Sequence, residues 1–77
     1  MKPITYTRHA KNRMRWRRIP KADVASAIAS PDFEEPSLED RRNVWKKFSA
    51  KYLRVTYKES EESILVVTAV NKTKSWR

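Results

Sequence analysis

The stretch "YLRVTYKESEESILVVTAV", residues 52–70, decides the fold. Leu53, Val55 and Tyr57 alternate with Tyr52, Arg54, Thr56 and Lys58, the period of a strand buried on one side. Leu65, Val67 and Ala69 alternate with Ile64, Val66, Thr68 and Val70, so the second strand is apolar on both faces. The link "ESEE" has hairpin length, which pairs the two strands antiparallel. Going backward, "RNVWKKF" is a further strand joined through "SAK", and "DFEEP" is a short edge strand. Strands are therefore expected at about 32–36, 42–48, 52–58 and 63–70. If the Leu53 and Leu65 sets face a helical layer, Arg54, Thr56 and Thr68 project together from the open face.

Upstream the period becomes helical. Thr5 or Thr7 can cap a helix over about 8–18, on which Ala10, Met14 and Arg17 share a core-facing side. His9, Arg13 and Trp16 line its rim at i, i+4, i+7 spacing. Ile19-Pro20 breaks this helix, and proline suits the first turn of a second, over about 20–30, with Val24, Ala27 and Ile28 on one face. Ser30-Pro31 ends it. "PITY", residues 3–6, is β-prone but short. The reading is one α+β domain over residues 1–77: two N-terminal helices on a three- to four-stranded antiparallel sheet, with a basic tail at 71–77. The chain has no glycine, so turns with positive φ are expected to use Asn, Ser, Asp or Lys.

A chain of 77 residues buries only about 60% of its unfolded surface, so its core is thin. Eighteen Lys and Arg against nine Asp and Glu leave a net charge of +9, which calls for a polyanion, nucleic acid first, then an acidic protein or an anionic membrane surface. Without cysteine there are no disulfides or thiolate nucleophiles, and one histidine makes no soft metal cluster, so neither metal nor other cofactor is expected. No apolar window is long enough for a membrane span and no signal sequence is evident, so a cytoplasmic location without membrane association is expected.

Seven of the fourteen residues from Arg8 to Lys21 are cationic, with no acid among them. A second basic group comprises Arg41, Arg42, Lys46, Lys47 and Lys51, while the acids gather at 32–40 and 59–62. Trp16, Trp45, Tyr52, Tyr57 and Trp76 lie among or beside cations. That pattern grips single-stranded nucleic acid, with bases on rings and phosphates on cations, although a small domain also needs rings to fill its core. The expected RNA-binding set is Arg8, Lys11, Arg15, Trp16, Arg17, Arg18, Lys46, Lys47 and Lys72. The stem of Arg17 is expected to cover the core.

His9 is the single imidazole, the side-chain type that gives or takes a proton near neutral pH. Metal-free RNA cleavage needs a base for the 2′-hydroxyl proton, cations for the pentacoordinate phosphate and an acid for the 5′-oxygen. Arg13, one turn on, is placed to hold the scissile phosphate, with Arg54 or Lys72 as a second clamp and Thr68 or Tyr57 as a hydroxyl donor. The second acid-base group stays open among Glu34, Glu35, Tyr57 and a lysine. The expected catalytic set is His9, Arg13, Arg54, Tyr57 and Thr68, with His9 and Arg13 facing a sheet that offers Arg54 and Thr68.

The run Thr7-x-His9-Ala10-x-x-Arg13-Met14-x-x-Arg17-Arg18-Ile19, followed by Val24, Ile28, "LRVTY" and "ILVVTAV", resembles the bacterial family catalogued as domain of unknown function 4258. That family is similar to RelE and ParE toxins, grouped with the barnase, EndoU, colicin and RelE-like ribonuclease folds. The resemblance spans Thr7 to Val70 and implies a RelE/barnase-like fold and a toxin that cleaves RNA without metal, leaving 2′,3′-cyclic phosphate. By the same resemblance His9 and Arg13 match the helix motif, Thr68 the last strand, and Arg54 and Tyr57, more loosely, the strand before it. Where the family commonly has glycine, this chain has Arg18, and the capping serine or threonine after the isoleucine is Pro20.

The expected function is thus a toxin-antitoxin ribonuclease acting on RNA, free or as ribosome-associated message, and covered by an acidic cognate antitoxin. The alternatives are a non-catalytic nucleic-acid-binding module and a ParE-like toxin that binds only protein.

Overall fold

The computed structural model describes residues 2–74. Its elements are β1 (Ile4–Tyr6), α1 (Arg8–Arg17), α2 (Lys21–Ala29), β2 (Phe33–Pro36), β3 (Arg42–Phe48), β4 (Lys51–Glu59) and β5 (Ile64–Lys72). They form one five-stranded sheet in the order β1-β5-β4-β3-β2. Neighbouring strands are antiparallel except β1 and β5, which are parallel.

This corrects the expected three- to four-stranded antiparallel sheet: the sheet is mixed and has a fifth strand from "PITY". Three residues are too few to show a period, and their partner lies some sixty positions away. β1 pairs Ile4, Thr5 and Tyr6 with Ile64, Leu65 and Val66, and the ladder continues through Ile64 N–H to the Pro3 carbonyl and Thr7 N–H to the Val66 carbonyl, both at 3.0 Å. Without β1, one side of β5 would be an unpaired edge.

A second correction concerns the faces of β5. Tyr57 pairs with Val66 and Thr56 with Thr68, so Val67 is an extra residue at a β-bulge. The bulge reverses the alternation, and Ile64, Val66 and Ala69 face the core instead of Leu65 and Val67. Ala10 and Met14 of α1 and Val24 and Ala27 of α2 pack there with Val44, Leu53 and Val55. Both helices therefore cover one face of the sheet.

Thr7 starts α1: its hydroxyl accepts the Ala10 N–H at 3.0 Å. α1 ends in a Schellman motif, with Ile19 N–H donating to the Met14 carbonyl at 2.8 Å and Arg18 N–H to the Arg15 carbonyl at 3.3 Å. Met14 and Ile19 are both buried, which completes the motif's apolar contact. Arg18 between them is left-handed, with φ 55°. For a residue with a Cβ, that conformation costs roughly 1–2 kcal/mol. The other positive φ values fall at Glu39, Asp40 and Ser49, so arginine and glutamate join the expected aspartate and serine. Ser49 is the first of the two residues linking β3 to β4, where a type II′ turn needs positive φ.

Candidate nucleic-acid interface

With Ala10 and Met14 turned inward, helical spacing places His9, Arg13 and Trp16 on one flank of α1. Together with Asn12 and Arg15 they line a shallow cleft of about 420 Å³. Trp16 is 84% exposed, so its ring contributes almost nothing to the core. Arg13 is half-buried and Arg17 exposed, the reverse of the expectation that Arg17 lies over the core. Lys11, Arg15 and Arg18 line the other flank, toward α2. Arg8 is exposed in the first turn, where a cation opposes the helix dipole. Among the described residues, ion pairs join Lys2 to Glu59, Arg41 to Glu39 and Arg42 to Glu34, and none uses a cation of α1.

The strand residues of the expected catalytic set lie elsewhere. Strand register puts Arg54, Thr56 and Thr68 on the face opposite the helices, so Arg54 and Thr68 do not meet His9 and Arg13 across a common cleft. That face has a polar network of its own. The Thr56 hydroxyl donates to the Asn43 amide oxygen at 2.6 Å, and the Asn43 amide donates to the Glu35 carboxylate at 3.3 Å. The Trp45 indole N–H reaches the same carboxylate oxygen at 3.4 Å. The Arg54 guanidinium lies 5.8 Å from the Trp45 ring centre, and its Nε is buried with no hydrogen-bond partner among the described residues. Lys47 and Lys72 flank Tyr52 in the adjoining row, with Lys47 Nζ 5.9 Å from the Tyr52 ring.

Tyr57 is in the core, beneath the helices, 6% exposed. Burial raises its pKa above the ordinary 10.0, against the opposing pull of the Arg42 cation paired with it across the strands. Lys46 reaches the end of α2, donating to the Ser30 carbonyl at 2.7 Å, and so satisfies a helix terminus. Trp76 and the end of the basic tail lie outside the described residues.

The site thus divides into a helical surface with His9, Arg13, Arg15 and Trp16, and a sheet surface with Arg54 and Thr68. Sequence reasoning missed Asn12, which helical spacing could have added, and the Glu35–Asn43–Thr56 network, which needs the register of three strands. Among the described residues no three His, Cys, Asp or Glu side chains converge as metal ligands, and no helix is long and apolar enough to cross a membrane.

A sequence model of a family described as a domain of unknown function, DUF4258, matches residues 6–71, which include every helix and nearly all of the sheet. No curated protein and no solved structure matches the chain.

Proposed function

We propose, for a chain that belongs to the DUF4258 family, that it binds single-stranded RNA along α1. The observation that carries this reading is Trp16: a ring 84% exposed, set in a cleft with His9, Asn12, Arg13 and Arg15 and with no acid at its wall. An exposed indole between arginines stacks a base while the guanidinium groups take the flanking phosphates. Stacking on such a ring is worth about 1–3 kcal/mol per base. The test is fluorescence anisotropy with a labelled single-stranded oligoribonucleotide. Trp16→Ala should weaken binding by roughly 5- to 150-fold with an unchanged urea midpoint. Equal binding by Trp16→Ala and the parent would remove Trp16 from the interface and the reading with it.

A second reading, metal-independent endoribonuclease, is favoured by one observation: His9 and Arg13 line the same cleft. His9 would take the 2′-hydroxyl proton, the 2′-oxygen would form a bond to phosphorus as the P–O5′ bond breaks, and Arg13 would hold the phosphate. The 5′-oxygen takes a proton from solvent water as it leaves, giving a 2′,3′-cyclic phosphate and a 5′-hydroxyl. Neither a carboxylate nor a second imidazole lines this cleft, which is why binding stands first. The similarity to RelE and ParE toxins belongs to this second reading, as does an acidic antitoxin drawn quickly to a chain of +9. Cleavage in EDTA that His9→Ala abolishes would support it, and intact RNA after prolonged incubation would exclude it.

A further inference from the structure

α1 has a cleft on each side, and Arg15 lines both. The second cleft, of about 460 Å³, lies between the end of α1 and the start of α2. Its floor is Met14, Ile19 and Pro20, and its rim carries Lys11, Arg18 and Lys21 besides Arg15. Four cations from two helices and the turn between them converge on an apolar floor, and no acid lines it. Lys21 is held at the rim with its ammonium 5.3 Å from the Tyr6 ring.

Arg18 is the informative residue. It occupies the left-handed position of the α1 terminus, where glycine would be free of strain, and it lines the cleft. Packing does not require a long cation there, because Arg18 is exposed and the motif's apolar contact is made by Met14 and Ile19.

We infer that this cleft is a second nucleotide subsite, and that an RNA strand straddles α1, passing from the Trp16 cleft over Arg15 into the cleft between the helices. One nucleotide stacks on Trp16. A neighbouring one rests its base on Met14, Ile19 and Pro20, with its phosphates on Lys11, Arg18 and Lys21. The inference rests on RNA binding along α1 and adds the path of the strand to it. Phosphates are thus held from both flanks of the helix, and neutralising one flank leaves the other in place.

The experiment is a salt series of anisotropy titrations with the same labelled oligoribonucleotide. The triple variant Lys11→Gln, Arg18→Asn, Lys21→Gln removes the cations of the second cleft alone, and asparagine tolerates the left-handed backbone. The slope of log K against log salt should become shallower by about 0.7 for each phosphate that the variant no longer neutralises. The comparison variant Lys51→Gln, Lys58→Gln, Lys74→Gln removes the same net charge at exposed positions away from both clefts and should leave the slope near the parent value. Equal slopes for the parent and the second-cleft variant, or equal losses in both triple variants, would overturn the inference while Trp16-dependent binding stands. A parent chain that binds no RNA would overturn both readings.

Discussion

The Thr7 hydroxyl donates to the Val67 carbonyl at 3.0 Å, and Val67 is the residue of β5 left without a β4 partner by the bulge. The same hydroxyl accepts the Ala10 N–H, so one oxygen starts α1 and fastens it to the irregular point of the sheet. Thr7→Ala should cost about 1–2 kcal/mol in urea unfolding, because it removes a cap and leaves a half-buried carbonyl unpaired. Thr7→Ser keeps both bonds and should stay within about 0.5 kcal/mol of the parent. If serine costs as much as alanine, the methyl group and not the hydroxyl is responsible.

Arg18→Gly should stabilise the fold. Relief of the left-handed strain outweighs the larger unfolded-state entropy of glycine, leaving a net gain of about 0.5–1 kcal/mol. In a domain of this size that raises the melting temperature by roughly 2–8 °C. The same substitution should weaken RNA binding, so stability and affinity move in opposite directions. A lower melting temperature would mean that the arginine side chain holds the turn.

Arg54 sets two effects of opposite sign against each other. Its stacking on Trp45 is worth about 0.5–2 kcal/mol, whereas a buried, unpaired Nε–H costs about 1–3 kcal/mol. Arg54→Met keeps much of the apolar stem over the ring and removes the orphaned donor. It should be neutral to stabilising by about 1 kcal/mol in denaturant unfolding. Trp45→Ala, by contrast, should lose roughly 3–5 kcal/mol, since that ring is 8% exposed. A loss above about 1 kcal/mol in Arg54→Met would show that the stacked cation dominates.

Alkaline pH should destabilise the protein through Tyr57 and Tyr6, whose pKa values burial raises above the ordinary 10.0. Their folded-state pKa exceeds the unfolded one, so the stability they contribute is fully present below 10.0 and is lost as pH rises through the raised value. Comparing urea midpoints of the parent and the Tyr6→Phe, Tyr57→Phe double variant across this window isolates the effect. The parent should lose more stability than the variant, and parallel curves would assign the alkaline loss to other groups.

Local chemistry was legible from residue types. A threonine at 5 or 7 reads as a helix cap because its hydroxyl suits an orphan N–H, and the structure selects Thr7; the alternation of Leu53, Val55 and Tyr57 reads as a strand face. The 3.6-residue spacing of His9, Arg13 and Trp16 similarly shows that they share a flank. Long-range geometry was not legible. β1 is too short for a period, and its parallel partner is set by which edge of β5 stands unpaired. The bulge at Val67 reverses the faces of a strand that is apolar on both, a change composition cannot signal. Because the helices cover the face opposite Arg54 and Thr68, the expected single catalytic set is divided by the sheet. Tyr57 and Lys46 illustrate a related limit: a tyrosine or lysine in a basic region serves packing or a helix end as readily as a ligand.

The parallel pairing of β1 with β5 also governs when the protein can assemble during synthesis. A nascent chain that has not yet extruded residues 64–72 from the ribosome offers β1 no partner, and α1 has neither Val66 nor Ala69 beneath it. The two clefts can then be set against the sheet only once β5 has emerged, so a chain interrupted before Ile64 carries the basic sequence without the surface built from it.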